Sequence, residues 1–377
     1  MTYAPYGEVA AGLAKPIFES RYPGLTVDLR PTSTVGYDDL TQQIVTDIAG
    51  GARPDVAMIG TGQLQFWVDR YGPQPIDPAA LKPTYDQRFL EVGSVRDEVY
   101  FAPFQVSVPV LYTNLDLTTG AGVTELPTTT GELVESARRV KGGSGSAPVQ
   151  IPRDQIADWP VQAFVQSAGL AYVEADGGPG FDSPEGVRAL GIYEQLAADG
   201  LIDPISFADA ITAFNTGRLA YFISTPALAA QAQETIGGAF EWTVSDFPVP
   251  DGGDPRLPAG GNGWIVLSDD ACRAAYSAEL IGEMLSPEII VESSKKFSYI
   301  PVDREAAEAL AADPAVSSPM GYAWRYEGTP TRFGGWPGDS TPRVNVFVED
   351  MVQRLTRGEP TQQVVADMSA RIRSAVR

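Results

Sequence analysis

The amino-acid sequence predicts an α/β protein with more than one domain. A chain of 377 residues suffices for roughly two to three domains, and its 44% hydrophobic content is enough for large packed cores. Helix and strand patterns alternate through the first third of the chain, which predicts a parallel sheet with helices on both faces. The sequence contains no run of about twenty apolar residues, so it predicts no membrane-spanning helix.

Apolar spacing and turn residues predict the first elements. A first helix, interrupted at Pro16, follows from three apolar residues spaced four apart: Val9, Leu13 and Ile17. Residues 25–29, which follow the turn Pro23-Gly24, are predicted to form a strand. A second helix is expected to start with Asp38 as its cap and to end at Gly50-Gly51, with an apolar face of Leu40, Ile44 and Ile48. A short apolar strand is predicted at 56–59.

The same signals predict the later elements. Thr129 or Thr130 and then Ser183 are expected to cap helices, and Gly142–Ser146 is expected to form a flexible loop. Residues 207–214 are predicted to be helical. The predicted strands are 106–112, 219–223 and 264–267.

Charge and composition exclude several classes of function. The 27 Lys and Arg residues against 48 Asp and Glu residues give a net charge of -21, which disfavours nucleic acid as a partner and favours a dispersed monomer. The chain has no His, which excludes Ser-His-Asp and Cys-His catalysis. The single Cys272 cannot form a disulfide within the chain and is expected to be a buried or half-buried structural residue. No ligand spacing suggests a metal, and no cofactor is predicted.

Two strand ends carry candidate binding residues. Gly60-Thr61-Gly62 lacks the third Gly of a dinucleotide fingerprint, because Gln65 occupies that position. The turn either presents backbone N–H groups to a ligand oxygen or is a plain tight turn. Ser224-Thr225 follows a predicted strand, where hydroxyl groups suit a sugar or polyol, although a strand-terminating turn fits the local sequence equally well.

Aromatic residues are frequent in the segments rich in Pro and Gly. Each of them alone is more typical of packing, but together they favour a carbohydrate-like ligand, since aromatic faces stack on pyranose rings. These residues are Trp159, Tyr299, Tyr322, Trp324, Tyr326 and Trp336.

The order of several motifs resembles the family 1 extracellular solute-binding proteins of ABC importers. The likeness covers nearly the whole chain, and its strength lies in the ordered set. Its first-lobe part runs from Tyr37-Asp38-Asp39-Leu40 to Asp55-Val56. The other matching segments are 103–114, 213–220, 260–264, 298–302 and 331–335, and the last two are similar to the branch that binds glycerol-3-phosphate and its diesters.

This resemblance implies a two-lobed, periplasmic-binding-protein-like fold of type II, with the ligand in a cleft between lobes joined by hinge segments. The expected lobes are 1–112 plus 262–301, and 113–261 plus 302–377. Arg332 is expected to face an anionic oxygen, but 57–62 lacks the acidic residue that this branch uses for glycerol hydroxyls, so a neutral sugar is an alternative. The predicted ligand-binding residues are Tyr37, Asp38, Thr61, Gln105, Ser107, Trp159, Ser224, Thr225, Gly261, Asn262, Tyr299 and Arg332.

The predicted function is therefore solute capture and not catalysis. By lobe closure, the protein would take up a sugar, polyol or glycerophosphoryl ester and deliver it to the membrane subunits of an ABC permease. The resemblance implies a secreted protein, periplasmic or anchored at the outer face of the cell membrane, although the given sequence shows neither a basic region nor an apolar signal segment at its start. The alternative is a lyase or glycosidase that uses a carboxylate pair in the same kind of cleft.

Overall fold

The protein consists of two compact units. The computed structural model describes residues 1–3, 6–33, 36–144 and 147–377, without the side chains of Tyr3, Gly143 and Ser144. Unit 1 comprises Met1–Ser107, Ala259–Ser317 and Ala323–Asp339. Unit 2 comprises Val108–Pro258, Ser318–Tyr322 and Ser340–Arg377. These packing units end at different residues from the predicted lobes, because most of 302–339 packs within unit 1. The division into ligand-capturing lobes stays a prediction.

Helices and strands alternate up to Tyr71 and come mostly in groups after it. The strands are β1 (Thr2–Tyr3), β2 (Pro31–Thr32), β3 (Val56–Gly60), β4 (Ser94–Val95), β5 (Glu98–Val99), β6 (Phe101–Ser107), β7 (Val110–Asn114), β8 (Val149–Gln150), β9 (Tyr221–Ser224), β10 (Trp242–Asp246) and β11 (Gly260–Val266). The helices are α1 (Tyr6–Arg21), α2 (Tyr37–Ala49), α3 (Leu64–Tyr71), α4 (Leu115–Gly120), α5 (Thr130–Ser144), α6 (Asp158–Ser167), α7 (Pro184–Ala198), α8 (Phe207–Asn215), α9 (Ala229–Ile236), α10 (Ala271–Met284), α11 (Pro287–Phe297), α12 (Arg304–Ala311), α13 (Thr341–Leu355) and α14 (Thr361–Ala375).

The sheet of unit 1 is antiparallel, with the order β3-β11-β6. The prediction of a parallel sheet was wrong here, because β11 comes from the distant second part of unit 1 and runs opposite to both neighbours. The order of helix and strand patterns along the sequence does not show that a strand from a distant part of the chain will enter the sheet. On one side of the sheet, α2 and α3 bury Leu40, Ile44 and Trp67 against strand residues such as Ile59 and Phe101.

The sheet of unit 2 has the order β10-β7-β9-β8. Only the pair β8 and β9 is parallel among these, whereas β7 runs antiparallel to both β9 and β10. The predicted strand 106–112 is divided between the two sheets, since β6 ends at Ser107 and β7 begins at Val110. Pro109 lies in the break and has no backbone N–H to give to a strand ladder.

The start of the chain differs from its prediction in two ways. Helix α1 continues through Pro16 and buries the face that carries Ala10, Ala14 and Phe18. The predicted apolar face is open, with Leu13 44% exposed and Ile17 45% exposed. The predicted strand 25–29 does not form. Side chains of α1 take the place of a strand partner there, since Val27 N–H donates to the Glu19 carboxylate and Val27 O accepts from Lys15.

Helix caps were predicted more accurately. Ser183 Oγ accepts from Gly186 N–H at 3.1 Å, and Thr129 Oγ1 accepts from Glu132 N–H at 3.3 Å, so both predicted caps are confirmed. Asp38 as a cap was wrong, because Gly36 is the capping residue of α2 and Asp38 lies in its first turn. Helix α5 extends to Ser144, so the predicted loop 142–146 is helical at its start, and its last two residues lie outside the described residues.

Two further features concern Cys272 and the length and apolarity of the helices. Cys272 is exposed, which contradicts the expected burial: it lies in the first turn of α10, two residues after the capping residue Asp270. Within the described parts of the chain, no helix is both long enough and apolar enough to cross a bilayer.

Candidate functional site

One edge of the unit 1 sheet brings several predicted residues together. Strands β3 and β6 end where β11 begins, and in this register Asn262 lies opposite both Gly60 and Gln105. Ser107 lies opposite Gly260, the neighbour of Gly261. Because strand ends of α/β sheets are common ligand sites, this edge is the candidate site of unit 1.

A buried amide network crosses this edge. Asn262 Nδ2 donates to Tyr37 Oη at 2.9 Å and to Gln105 Oε1 at 2.7 Å. Gln105 Nε2 in turn donates to Ser293 Oγ at 2.6 Å. Asn262 is fully buried, yet its Oδ1 atom has no hydrogen-bond partner among the described residues. A buried acceptor without a donor costs free energy, so Asn262 Oδ1 destabilises the network unless a donor reaches it.

A second polar cluster, Asp38, Thr41 and Gln63, lies beside the network. Gln63 follows β3 and donates through Nε2 to Asp38 Oδ1, while its Oε1 accepts from Thr41 Oγ1. Desolvation raises the pKa of Asp38, and the bond from Gln63 opposes that rise only in part. The carboxylate is thus held in one orientation by an amide that sequence reasoning did not single out.

Aromatic rings lie directly on glycines at this edge. A Cβ atom at Gly60 would come within 2.7 Å of the Tyr37 ring, and one at Gly62 within 2.8 Å of the Phe333 ring. Gly261 has a φ of +94°, and a Cβ atom there would overlap the Gln105 carbonyl oxygen and lie 3.4 Å from the Tyr299 ring. Each glycine therefore permits a close approach that no other residue allows.

Two aromatic residues of this region, Phe333 and Tyr6, were not among the predicted ligand-binding residues. Phe333 belongs to a matching motif but was not predicted to bind ligand. Tyr6, at the start of α1, packs edge-on against Tyr299 with ring centroids 6.1 Å apart, and burial raises its pKa. No local sequence signal marks Tyr6, because it meets Tyr299 only through the tertiary fold.

Arg332 is held by a helix of the same unit. Its Nη2 donates to Gln65 Oε1, and Gln65 Nε2 donates to Asp69 Oδ2 at 2.7 Å. Arg332 is half-buried, and desolvation lowers its pKa, although arginine stays protonated at neutral pH. Gln65, a neutral side chain, is thus one of the groups that hold the guanidinium.

Thr61 serves the packing of this region. Its Oγ1 donates to Ala259 O at 2.8 Å, and Ala259 N–H donates to Thr331 O at 2.8 Å. Only 3% of Thr61 is exposed. The hydroxyl proton of Thr61 is thus used inside unit 1, which ties the turn after β3 to the segment that carries Arg332.

Unit 2 contains the other three predicted residues. Ser224 ends β9 and is buried, and its Oγ has no hydrogen-bond partner among the described residues. Thr225 Oγ1 accepts from Ala227 N–H at 3.2 Å, which caps the following turn, and its carbonyl accepts from Tyr112 Oη at 2.8 Å. Trp159 lies in α6, not in a loop, and its Nε1 donates to Pro258 O at 2.9 Å.

The remaining predicted aromatic residues differ in environment. Trp324 and Trp336 are buried, and Trp324 Nε1 donates to Ser294 O at 3.3 Å, so both serve packing in unit 1. Tyr322 and Tyr326 are half-buried, and Tyr322 Oη donates to Asp246 Oδ1 at 2.6 Å. Some aromatic residues in segments rich in Pro and Gly are therefore buried in packing. Their presence alone does not identify rings that a solute could reach.

One cavity of unit 1 lies apart from the predicted ligand-binding residues. Within the described ranges, no group of three or more Cys, Asp or Glu residues could hold a metal ion. A cavity of about 310 Å³ in unit 1 lies between α1, α10 and the segments 25–30 and 52–56, and it includes none of the predicted ligand-binding residues.

Comparison with known proteins identifies the class. The model of the family described as bacterial extracellular solute-binding protein matches residues 3–289, and the chain belongs to this family. The resemblance inferred from the ordered motifs is therefore confirmed, and so is the interpretation as a binding protein and not an enzyme.

Individual relatives are distant in sequence. A binding protein of Brucella abortus is 25% identical over 308 residues, which cover 78% of this chain and 72% of the relative. The sn-glycerol-3-phosphate-binding periplasmic protein of Escherichia coli is 22% identical over 325 residues, which cover 76% of this chain and 73% of the relative.

Solved structures confirm the type II fold. UgpB from Mycobacterium tuberculosis, in complex with glycerophosphocholine, aligns with a TM-score of 0.83 at 18% identity and covers 99% of this chain and 97% of that one. The sugar-binding protein MalE from Xanthomonas citri aligns with a TM-score of 0.83 at 19% identity and covers 100% of this chain and 96% of that one. At such identities the likeness shows the fold.

Proposed function

We propose that the protein is the substrate-binding component of an ABC importer and that it captures a carbohydrate or glycerol-phosphate-type solute. The solute would then be delivered to the membrane permease. The family membership supports extracellular solute binding. The relatives that bind sn-glycerol-3-phosphate, glycerophosphocholine and sugars support the choice of solute class. A periplasmic location, or anchoring at the outer face of the membrane, is part of this proposal.

One observation carries the proposal: the edge of the unit 1 sheet combines buried amides with aromatic rings. Asn262 and Gln105 supply fixed hydrogen-bonding groups, and Tyr37 and Tyr299 supply rings seated on glycines. A polyhydroxylated solute needs both features, because its hydroxyls require partners when they leave water and its apolar face stacks on aromatic carbon.

The remaining predicted residues receive roles within this proposal. Asp38 would accept hydrogen bonds from solute hydroxyls, in place of the acidic residue that 57–62 lacks. Arg332 would pair with an anionic oxygen. In unit 2, Ser224 would contribute a hydroxyl, since its Oγ is buried without a partner in the described chain. Capture by closure of two lobes remains part of the proposal.

Isothermal titration calorimetry with sn-glycerol-3-phosphate, glycerophosphocholine and maltose tests the solute class. We expect saturable binding of at least one of these probes, no chemical turnover, and a rise in the melting temperature with the same probe. Native mass spectrometry of gently purified protein would reveal a co-purified solute by its mass. Release of a product from any probe would contradict the proposal and favour the lyase or glycosidase alternative.

A further inference from the structure

Gln63 connects Asp38 to the end of β3. Its Nε2 donates to Asp38 Oδ1 at 2.5 Å, and its Oε1 accepts from Thr41 Oγ1. Gln63 is 6% exposed and Thr41 is 5% exposed, whereas Asp38 is an exposed residue. A buried amide therefore holds a carboxylate that solvent can reach.

The hydrogen-bonding groups allow only one orientation of this amide. An ionised carboxylate only accepts hydrogen bonds, so the N–H groups of the Gln63 amide must face Asp38. The Gln63 carbonyl then faces Thr41, whose hydroxyl supplies the proton. The reversed amide would place the Gln63 oxygen against the Asp38 carboxylate, two acceptors with no proton between them. One oxygen of Asp38 thus has a fixed partner and a fixed place.

The second oxygen of Asp38 is not engaged in the same way. Asp38 Oδ2 has no hydrogen-bond partner among the described residues, and the residue is exposed. The preceding residue, Tyr37, lies with its ring on Gly60 at the candidate site. A carboxyl group turns easily about its last torsion, so without Gln63 both Asp38 oxygens would vary in position. An acceptor that is already held costs less ordering when a solute binds.

The surroundings of Asp38 favour its protonation, and Gln63 opposes them. Crowding by the surrounding protein raises the pKa of Asp38, and the negative charge of Asp39 on the same helix raises it as well. Residues 56–63, which form β3 and the turn after it beside α2, contain no charged side chain. Among the described residues, Asp39 is the charged group that acts on this carboxyl. The bond from Gln63 lowers the pKa of Asp38 and so favours the ionised form.

We propose that Gln63 is a positioning residue that holds Asp38 as the acceptor for a solute hydroxyl, so that affinity for the solute falls when Asp38 is protonated. This inference rests on the proposed function and adds to it the means by which a hydroxyl is recognised. An ionised carboxylate accepts a hydroxyl proton more strongly than a neutral carboxyl group does, because its charge strengthens the hydrogen bond. Gln63 is buried and acts through Asp38, without contact to the solute.

Titration calorimetry at a series of pH values tests the inference, with maltose, glycerophosphocholine and sn-glycerol-3-phosphate as probes. Each variant is compared with the wild type at the same pH, so that titration of a probe cancels. We expect wild-type affinity to fall as the pH falls through the pKa of Asp38. Gln63→Leu should bind on the order of tenfold more weakly at pH 7, because Asp38 has lost its fixed place. Its affinity should also begin to fall at a higher pH, because the bond that lowers the pKa of Asp38 is gone.

A double-variant cycle distinguishes positioning from a structural role. Asp38→Ala should weaken binding and remove the loss of affinity in acid. Adding Gln63→Leu to Asp38→Ala should cost little further affinity, because the group that Gln63 positions is already absent. If Gln63 only supported the fold, the two losses would add.

Gln43→Leu is the matched control. Gln43 Nε2 donates to Asp47 Oδ1 at 2.8 Å, so the same kind of amide to carboxylate bond exists in an exposed part of the same helix. Its removal should leave both the affinity and the pH profile unchanged.

Thr41→Val keeps the test decisive if Gln63→Leu does not fold. It retains the shape of the side chain but removes the proton that fixes the amide, so that Gln63 can turn. We expect the affinity to fall several-fold and the pH profile to shift in the same direction as in Gln63→Leu. Thermal unfolding of each variant without solute checks that it is folded.

The outcomes separate this inference from the proposed function. A folded Gln63→Leu or Thr41→Val protein with the affinity and pH profile of the wild type overturns the positioning role, and so do losses that add in the cycle. A wild-type affinity that does not change with pH overturns the role of Asp38 as a charged acceptor. In each of these cases a probe still binds, and the proposed function stands. A wild type that binds none of the three probes contradicts the proposed function itself, and the inference with it.

Discussion

Asn262 donates a hydrogen bond to Gln105 across two neighbouring strands, with 2.7 Å between Nδ2 and Oε1. Both side chains are buried, so neither can exchange this bond for one to water. The bond joins β11 to β6 at the edge that carries the candidate site. Removal of either partner should therefore affect both folding and solute binding.

Asn262→Ala should lower the free energy of unfolding by about 1–3 kcal/mol, because it leaves Gln105 Oε1 buried without its donor. Urea unfolding followed by tryptophan fluorescence measures the change. Gln231→Ala, at an exposed position of α9, is the control and should stay within about 0.5 kcal/mol of the wild type. Equal stability of the two variants would show that the amide network contributes little.

Gly60→Ala should displace the Tyr37 ring, since the added methyl carbon would lie 2.7 Å from it. Gly60 has a φ of -74°, so backbone strain is not involved. We expect solute affinity to fall on the order of tenfold and stability by about 1–3 kcal/mol, measured by calorimetry and urea unfolding. Gly12→Ala is the control, because Gly12 lies inside α1 with open space around it. This variant should stabilise the protein by about 0.5–1 kcal/mol.

Gly261→Ala should be the more damaging of a matched pair. Gly51→Ala introduces a side chain at a φ of +81° in open space and should cost roughly 1–2 kcal/mol from backbone strain alone. Gly261 has a similar φ of +94°, but its substituent would also overlap the Gln105 carbonyl oxygen. We expect unit 1 to lose its fold or its cooperative melting transition in this variant. Similar melting temperatures for the pair would refute the close approach of β11 and β6.

Asp38→Asn should alter the dependence of stability on pH. Desolvation raises the pKa of Asp38 above its ordinary value of 3.8, so its ionisation at neutral pH costs folding free energy. The variant should be more stable than the wild type at pH 7, and the gap should close as the pH falls below 3.8, where the unfolded carboxyl is protonated as well. Urea unfolding across this range checks the sign, with the exposed Asp203→Asn as control. A gap that is constant with pH would point to a cause other than ionisation.

Local chemistry made part of the fold predictable. Ser183 before Pro184 predicts a helix start, and in the structure Ser183 Oγ accepts a hydrogen bond from Gly186 N–H. The apolar run 56–59 became β3 because its residues can be buried on both faces of a sheet. These signals lie within a few residues of what they predict, so a single sequence contains them.

Tertiary contacts account for most of the errors. The run 25–29 has the composition of a strand, but Lys15 and Glu19 of α1 satisfy the Val27 backbone. The candidate site shows the same limit. Asn262 and Gln105 were predicted through the family likeness, whereas Gln63 and Gln65 act only through distant partners, Asp38 and Arg332, and so were not recognised.

The position of β11 in the sheet has a consequence for the order of folding. This strand is the centre of the unit 1 sheet, yet it is synthesised only after all of Val108–Pro258. During synthesis, β3 and β6 therefore have no common partner, whereas every strand of the unit 2 sheet precedes β11 in the chain. We expect the sheet of unit 2 to form before the sheet of unit 1, and the edge that carries the candidate site to form only after β11 has been made.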